Sequence, residues 1–245
     1  MNNLQSVLRK HYLVVLLVMV SLGACTKQDD SPAPGATGPC SDPDEFVFEE
    51  KDGLLIIEAE NATIPADWIT SNAVADFTGT GYIQWEGDNN FGKTGEGVIN
   101  YKIRITTPGT YRFQWRSRIN EGTNSTESND AWVKMPDADD FFGRKSDGSS
   151  TVYPKGSGKT PNPNGGGGDG WFKVYMNQAE QWSVQARTSD NDAHDIYVTF
   201  NAVGDYTIQL SGRSKGFAID RLVLYLDSVT NATETSQSES NIVCQ

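Results

Sequence analysis

The sequence is poor in the residues on which many enzymes and metal sites depend. It contains two histidines and three cysteines in 245 residues, and His194 is the histidine outside the first 24. No HExxH zinc motif, no nucleophile elbow and no cysteine pair with metal-site spacing is present. The glycine run 165–168 lacks the Lys-Thr ending of a phosphate-binding loop. These absences disfavour the familiar hydrolase and nucleotide-binding classes, and His194, which shares a strand face with Ile196, is expected to be structural.

Positive charge is also scarce. The chain has 20 Lys and Arg against 32 Asp and Glu, which gives a net charge of −12. The first 24 residues hold two of the basic residues and no acidic ones, so the remainder carries −14. A protein this acidic repels nucleic-acid phosphates and anionic lipids, and we therefore expect no nucleic-acid partner.

The apolar run from Tyr12 to Leu22 is too short for a comfortable membrane span. It follows the basic residues Arg9 and Lys10, and this order is typical of a signal peptide over residues 1–24. The sequence LGAC at its end resembles a bacterial lipobox, which predicts a lipid on Cys25. An ordinary signal peptide with an incidental cysteine is the alternative.

The residues after Cys25, TKQDD, resemble the surface-export signal of Bacteroidetes lipoproteins. We therefore expect an outer-membrane lipoprotein, exposed at the cell surface, whose membrane link is the lipid. Residues 25–44 are rich in Pro, Gly and Ser and are predicted to be a flexible tether. The domain is predicted over 45–227, and the polar tail 228–245 is expected to be largely irregular.

Two cysteines, Cys40 and Cys244, flank this domain. Exported proteins tolerate disulfides, and the first and last strands of a sandwich are often neighbours. We expect a Cys40–Cys244 disulfide that fixes both termini to the body, with two unpaired thiols as the alternative. The domain is large enough for one core, and we expect a monomer.

Alternating apolar and polar residues dominate the domain, and no long helical pattern appears. Two units match: in each, a Tyr (Tyr111, Tyr206) follows the turn glycine by two residues. Each unit is expected to be a hairpin or a pair of near-neighbour strands, and the fold an all-β, two-sheet antiparallel sandwich of jelly-roll type. The strand ranges are 99–105 and 111–115 in the first unit, 196–200 and 206–210 in the second, and elsewhere 53–60, 80–85, 130–135, 171–176, 182–187 and 217–226.

Residues 136–170 interrupt the pattern with a long Gly- and Pro-rich insertion. Loops of this length inside a compact domain are usually functional or disordered. The insertion either forms one wall of a binding site or is a mobile flap without a role in binding.

Three carboxylates point into apolar surroundings. Glu58 and Glu60 alternate with apolar residues at the end of the first long strand, and Asp220 shares a face with Leu222 in the last. Buried carboxylates need a cation, and Ca²⁺ suits a loose cluster of oxygens. Arg221 is expected to face away from Asp220. The alternative is that the glutamates are solvated at a strand end and that Asp220 pairs with a basic residue.

Several ordered motifs resemble the family 6 and family 35 carbohydrate-binding modules, which are galactose-binding-like β-jelly rolls. The motifs are IEAEN at 57–61, PGTYRF at 108–113, GW at 170–171 and GFAIDRL at 216–222. The resemblance implies a structural calcium ion held by Glu58, Glu60 and Asp220. It also implies a sugar site built from exposed aromatics and an Asn before the closing aspartate.

Only some of the family's sugar-site residues have counterparts in this sequence. Tyr82, Trp85 and Trp171 correspond to the family's aromatics, although Tyr82 and Trp85 could equally belong to the core. The family's Asn is missing, and Arg213, Lys215 or Phe217 would take its place. A cationic pair there would favour an acidic polysaccharide.

We therefore expect a non-catalytic, calcium-stabilised jelly roll that binds polysaccharide or oligosaccharide at the cell surface, near degrading enzymes or an uptake system. One alternative is a polysaccharide lyase or glycoside hydrolase that acts in a groove beside 136–170. The other is a surface adhesin that binds protein.

Overall fold

The computed structural model describes residues 35–245, and the predicted signal peptide and Cys25 lie outside this range. Within it, the protein is all-β apart from a 3-10 turn at Pro43–Glu45, and no helix is long and apolar enough to cross a membrane. The strands are β1 Phe46–Glu49, β2 Leu54–Glu58, β3 Trp68–Ser71, β4 Tyr82–Trp85, β5 Ile99–Ile105, β6 Gly109–Ile119, β7 Asp130–Lys134, β8 Asp140–Arg144, β9 Thr151–Val152, β10 Phe172–Tyr175, β11 Ser183–Val184, β12 Arg187–Thr188, β13 His194–Phe200, β14 Gly204–Ser211, β15 Phe217–Leu226 and β16 Asn241–Cys244.

The strands form two layers of a jelly-roll sandwich, which confirms the predicted fold class. One layer has the order β16-β1-β5-β14-β7-β10, and the other contains β13, β6, β15 and β4-β3, with β2 paired to β15 and β8 to β13. The short strand β12 pairs with β10 and β13 and so joins the two layers into one curled sheet. Named strand pairs are antiparallel except β1 with β5.

Alternation along each strand fills the space between the layers. Tyr101 and Ile103 from β5 lie in the same core cluster as Phe113 and Trp115 from β6, and all four side chains are at most 1% exposed. Burial of these large apolar side chains is the main term that holds the layers together.

The two matching units are not hairpins, contrary to expectation. Strand β5 pairs with β14, and β6 pairs with β13, so each strand of one unit pairs with a strand of the other. The two strands of each unit lie in opposite layers, because this arrangement turns both apolar faces into the shared core. The repeated tyrosines fix the crossings: the hydroxyl of Tyr111 donates to the carbonyl of Thr107 at 2.6 Å, and that of Tyr206 to Ala202 at 3.0 Å.

The C-terminal segment is more ordered than its composition suggests. Strand β16 pairs along β1, and Ala232 packs against Ile56 and Val223 on the outer face of β2 and β15. Cys40 and Cys244 are disulfide-bonded, with their Cα atoms 5.6 Å apart, as predicted. Covalent closure and strand pairing therefore hold residues that composition alone predicted to be loose.

The insertion is also built into the sheet. Strand β8 extends the second layer by pairing with β13, and β9 pairs with β8. The glycine run 165–168 packs beside Trp132 on the outer face of the first layer, where an added Cβ on Gly166 would lie 3.2 Å from the Trp132 ring. The insertion thus covers part of the surface on which the candidate site lies.

Candidate functional site

A groove crosses the outer face of the first layer near the ends of β14, β7 and β10. Residues Ala131, Val133, Phe172 and Val174 point into the core, so their neighbours on the same strands point outward. A cavity of about 550 Å³ opens on this outer face. Its lining residues are Asn89, Phe91, Glu121, Thr126, Glu127, Ser128, Asn129, Asp130, Lys173, Arg213 and Ser214.

Arg213 is the centre of this cavity. Its guanidinium lies between two rings, 4.9 Å from the centroid of Phe91 and 5.0 Å from that of Trp132. It also donates to Asp130, whose other oxygen accepts from the hydroxyl of Ser214. Stacking and ion pairing together fix a side chain that is 8% exposed, so its position is determined before any ligand arrives.

Phe91 presents the aromatic surface of the groove. It is 55% exposed, although its ring stacks on Arg213. The adjacent Asn90 is held firmly, because its N–H donates to the Arg213 carbonyl at 2.7 Å and its own carbonyl accepts from Trp132 Nε1 at 3.2 Å. A well-anchored loop thus exposes a large apolar ring to solvent at the edge of the groove.

Phe91 was not among the residues predicted from the sequence. The feature that indicates it is its position: it is the one phenylalanine in the polar segment 86–97, EGDNNFGKTGEG, where no alternating pattern could bury it. The strand aromatics were chosen instead because they matched family positions.

Tyr82 and Trp85 are not sugar platforms, and this prediction was wrong. Each is 2% exposed. The Trp85 ring packs edge-on against Trp68 at 5.2 Å, and Tyr82 packs against Trp182 at 5.1 Å. Strand β4 is paired on both edges, with β15 and β3, and the rings of Trp68 and Trp182 cover these two side chains on its faces.

Trp171 is also covered, contrary to the prediction that it forms part of an open site. It is 6% exposed, and Lys134 Nζ lies 5.8 Å from its ring. The glycines that precede it were interpreted as a flexible edge. They pack on this face instead, because a residue without a side chain can approach an indole ring closely.

Arg213 and Lys215 do not form a cationic pair. Arg213 is neutralised by Asp130, and the Lys215 Nζ lies 3.8 Å from Glu86 with its side chain 46% exposed. A third cation, Lys173, lies in the groove and is 2.6 Å from Asp190. The expectation of an acidic polysaccharide therefore loses the free positive charge on which it rested.

The three predicted metal ligands lie together in a separate place, around the loop at Thr78–Gly81. Thr78 Oγ1 is 2.7 Å from Glu58 and 2.9 Å from Asp220, and its N–H donates to Asp220 at 2.8 Å. The N–H groups of Thr80 and Gly81 donate to one oxygen of Glu60 at 2.7 and 3.0 Å. All three carboxylates are at most 4% exposed.

Two arginines enter this cluster, and one was expected elsewhere. A β-bulge in β15 between Ile219 and Arg221 adds one residue relative to β6. Asp220 and Arg221 therefore both reach the cluster, although strict alternation places them on opposite faces. Arg221 pairs with Glu58, and Arg116 Nη1 lies 2.6 Å from Asp220.

The cluster still holds more acid than base. Glu239, from the C-terminal segment, accepts from the Glu58 N–H at 2.8 Å and makes a fourth carboxylate beside two guanidiniums. Burial raises the pKa of Glu60 to about 7, and the charge of Glu58 adds to this effect. Burial likewise raises the pKa of Glu239 to about 7.

The donor chemistry of the cluster fits a hard cation. All its donors are oxygens, and in the described residues the second oxygen of Glu60 has no hydrogen-bond partner. Across 35–245, however, no three His, Cys, Asp or Glu side chains form a ready-made metal site. Arg221 and Arg116 pair with two of the predicted ligands, Glu58 and Asp220, so the calcium ion stays a prediction.

The polar residues that could suggest catalysis have structural partners. His194 is fully buried, and its ring nitrogens contact the Asp192 carbonyl at 2.5 Å and the Ser150 hydroxyl at 3.0 Å. Residues 212–216 read GRSKG, which matches the G-x-S-x-G spacing of a nucleophile elbow. An elbow leads from a strand into a helix, whereas strand β15 follows here, and the Ser214 hydroxyl donates to Asp130. Ser214 is therefore part of the scaffold around Arg213.

No protein-family model and no curated protein sequence matches this chain. Among solved structures, it is similar to a native family 35 carbohydrate-binding module from Clostridium thermocellum, at 15% identity and TM-score 0.42, over 70% of this chain and 96% of that one. It is also similar to the family 35 module from Paenibacillus barcinonensis, at 16% identity and TM-score 0.39, over 70% and 98%.

A third similarity is to the GH26-CBM35 β-(1,4)-mannanase of Podospora anserina, at 17% identity and TM-score 0.44, over 74% of this chain. This chain spans 29% of the mannanase. The identities of these three structures are 17% or lower, and their TM-scores 0.44 or lower.

The ion pair between Arg221 and Glu58 offers a test of the buried cluster. We predict that Arg221→Met lowers the free energy of unfolding by about 3 kcal/mol, because it leaves Glu58 buried without a counter-charge. Arg104→Met is the matched control: Arg104 pairs with Asp205 at 2.7 Å, but both side chains are more than a third exposed, so we expect a loss of at most about 1 kcal/mol. Urea unfolding followed by circular dichroism measures both, and equal losses would contradict the role of burial.

Proposed function

We propose that this protein is a non-catalytic carbohydrate-binding domain and that its glycan site is the groove at Phe91 and Arg213. The observation that carries the proposal is the Phe91 ring, exposed to solvent yet held in place by Arg213. Sugar rings present apolar C–H faces, which stack on such a ring, and hydroxyl rims, which need nearby hydrogen-bonding groups.

The remaining groove residues supply those groups. Asn89 offers an amide, and Thr126 and Ser128 offer hydroxyls around the same cavity. The basic side chains in the cavity are Lys173 and Arg213, and each is paired with a carboxylate. We therefore favour neutral polysaccharides as ligands, since a uronate would meet acidic side chains before a free cation.

We predict that Phe91→Ala weakens polysaccharide binding at least tenfold, because it removes the stacking surface while Arg213 keeps its pair with Asp130. Affinity electrophoresis against mannan, xylan and mixed-linkage β-glucan, with alginate and polygalacturonate as acidic polymers, measures the effect. Val203→Ala is the control, since Val203 is 65% exposed at the turn before β14, at the opposite end of that strand.

The same panel separates the competing functions. Release of new reducing ends, or of unsaturated uronate absorbance, would contradict the non-catalytic part of the proposal. Retention of no polymer, together with capture of a protein ligand, would favour the adhesin.

We also propose that a calcium ion stabilises the domain through Glu58, Glu60 and Asp220. Support comes from the excess of carboxylates over guanidiniums and from the Glu60 oxygen without a partner. A divalent ion bound there would neutralise the negative charge that the two arginines do not compensate.

We predict that Ca²⁺ raises the melting temperature relative to EDTA. Linked binding increases the free energy of unfolding by about 2.7 kcal/mol at a Ca²⁺ concentration 100-fold above Kd. Glu60→Gln should abolish this shift, because the amide keeps an acceptor for Thr80 but loses the charge. Glu45→Gln, at an exposed position, is the control and should keep it. No shift in the unaltered protein would refute the calcium site and leave the two arginines as its complete counter-charge.

We propose, finally, that lipidated Cys25 holds the domain at the outer membrane, where it retains polysaccharide for degradation or uptake. The motif LGAC and the polar, Pro-rich segment after it support this location. We expect the full chain to partition into Triton X-114 and Cys25→Ser to remain in the aqueous phase. Partition of both into the same phase would contradict lipidation.

A further inference from the structure

A second cavity continues the groove beyond Lys173. It measures about 450 Å³ and shares Thr126, Asn129 and Lys173 with the Phe91 cavity. The residues that extend it are Tyr175, Asn177, Asp190, Asn191, Asp192 and Ala193. Because the two cavities share three lining residues, they are parts of one groove.

The groove runs across the strands, so the number of strand spacings that it crosses gives its length. Ser211 of β14 pairs with Trp132 of β7, Asp130 of β7 with Tyr175 of β10, and Tyr175 with Arg187 of β12. From the closing loop after β14 to the turn after β12 there are three strand spacings, or about 14 Å. A sugar ring in an extended glycan is about as long as one strand spacing, so about three rings fit along the groove.

Both ends of the groove finish at exposed residues. Asn89 and Phe91 lie at one end, and Asn191 and Ala193 at the other. A site for a chain end would instead need walls that enclose a terminal ring on several sides.

Fixed side chains line the middle and the far end. Lys173 Nζ is 2.6 Å from Asp190 and 3.8 Å from Asp130, so it links the two halves of the floor. The Tyr175 hydroxyl donates to the Ser189 carbonyl at 3.2 Å, and Asp192 is held by Lys145 at 2.6 Å. The far half therefore also has side chains held by contacts within the protein, which is what a second set of sugar contacts requires.

Resting on the proposed glycan-binding function, we infer that the groove binds internal stretches of a polysaccharide, about three sugar units at a time, and not chain ends. One ring stacks on Phe91. The following rings pass over Lys173 toward Asn191, where carboxylate, amide and amine groups meet their hydroxyls.

Calorimetry with β-1,4-linked manno-, xylo- and gluco-oligosaccharides of one to six units tests this inference. In the series that binds, affinity should rise at least tenfold between one and three units and by less than about twofold thereafter. Borohydride reduction of the hexasaccharide end should leave its affinity unchanged, because that end need not enter the groove.

Two variants locate the contacts. Phe91→Ala should weaken every length that binds. Asn191→Gly should reduce the gain between one and three units; its backbone has φ +56°, which glycine adopts without strain. Val203→Ala should behave as the unaltered protein at every length.

The outcomes separate this inference from the function on which it rests. If a monosaccharide binds as tightly as the hexasaccharide, or if end reduction abolishes binding, the groove is a chain-end site: the inference fails while glycan binding stands. A gain with length that Asn191→Gly does not change would also overturn it, since the additional rings would lie elsewhere. If neither these oligosaccharides nor the polymers bind, both proposals fail.

Discussion

The arrangement of the candidate site depends on the buried ion pair between Arg213 and Asp130. Asp130 begins β7, and Arg213 lies in the loop that leads from β14 into β15, so the pair joins two segments 83 residues apart. Because the guanidinium is also stacked between Phe91 and Trp132, the same contact orients the exposed ring. A buried pair of this kind contributes little net stability, but removal of either partner leaves a costly uncompensated charge. Its consequence here is positional: the loop of Phe91, the loop of Arg213 and the start of β7 are held together around one planar cation.

The second buried charge cluster has a different balance. At Arg213, the charges are matched within the protein. Around Thr78, four carboxylates meet Arg116 and Arg221. Burial, with a smaller contribution from the charge of Glu58, raises the pKa values of Glu60 and Glu239. Folding must therefore keep protons there or admit a cation, and a hard ion is the one that oxygen donors favour. The two clusters lie in different parts of the fold, so a substitution at one is not expected to change the charge balance of the other.

The sequence predicted the fold class well, because alternation of period two survives in single strands and the aromatic core positions follow it. It failed where the chain departs from ideal alternation. The bulge at Asp220 brings Arg221 to the side on which alternation places no base, and bulges have no clear sequence signature here. The matched Tyr111 and Tyr206 units were recognised, but their pairing partners were not, since a hairpin and a crossing between layers share one apolar pattern. The disulfide followed from the number and placement of the cysteines, whereas the packing of the C-terminal segment depends on contacts that polar composition conceals.

Site prediction was weakest for the aromatics, and the reason is general. A tryptophan in an alternating strand, such as Trp85, gains most free energy by burial, so strand position predicts core rather than surface. A phenylalanine in a loop of Gly, Asn and Asp has no strand to bury it and must be exposed or packed by another loop. Phe91 is both: one face rests on Arg213 and the other is open. Arg213 was predicted for the site from its place in the closing loop, and the structure adds that its charge is already satisfied. In the proposed function, the groove would therefore recognise a ligand through apolar contact and neutral hydrogen bonds more than through attraction of opposite charge, which is consistent with a chain whose net charge is −12.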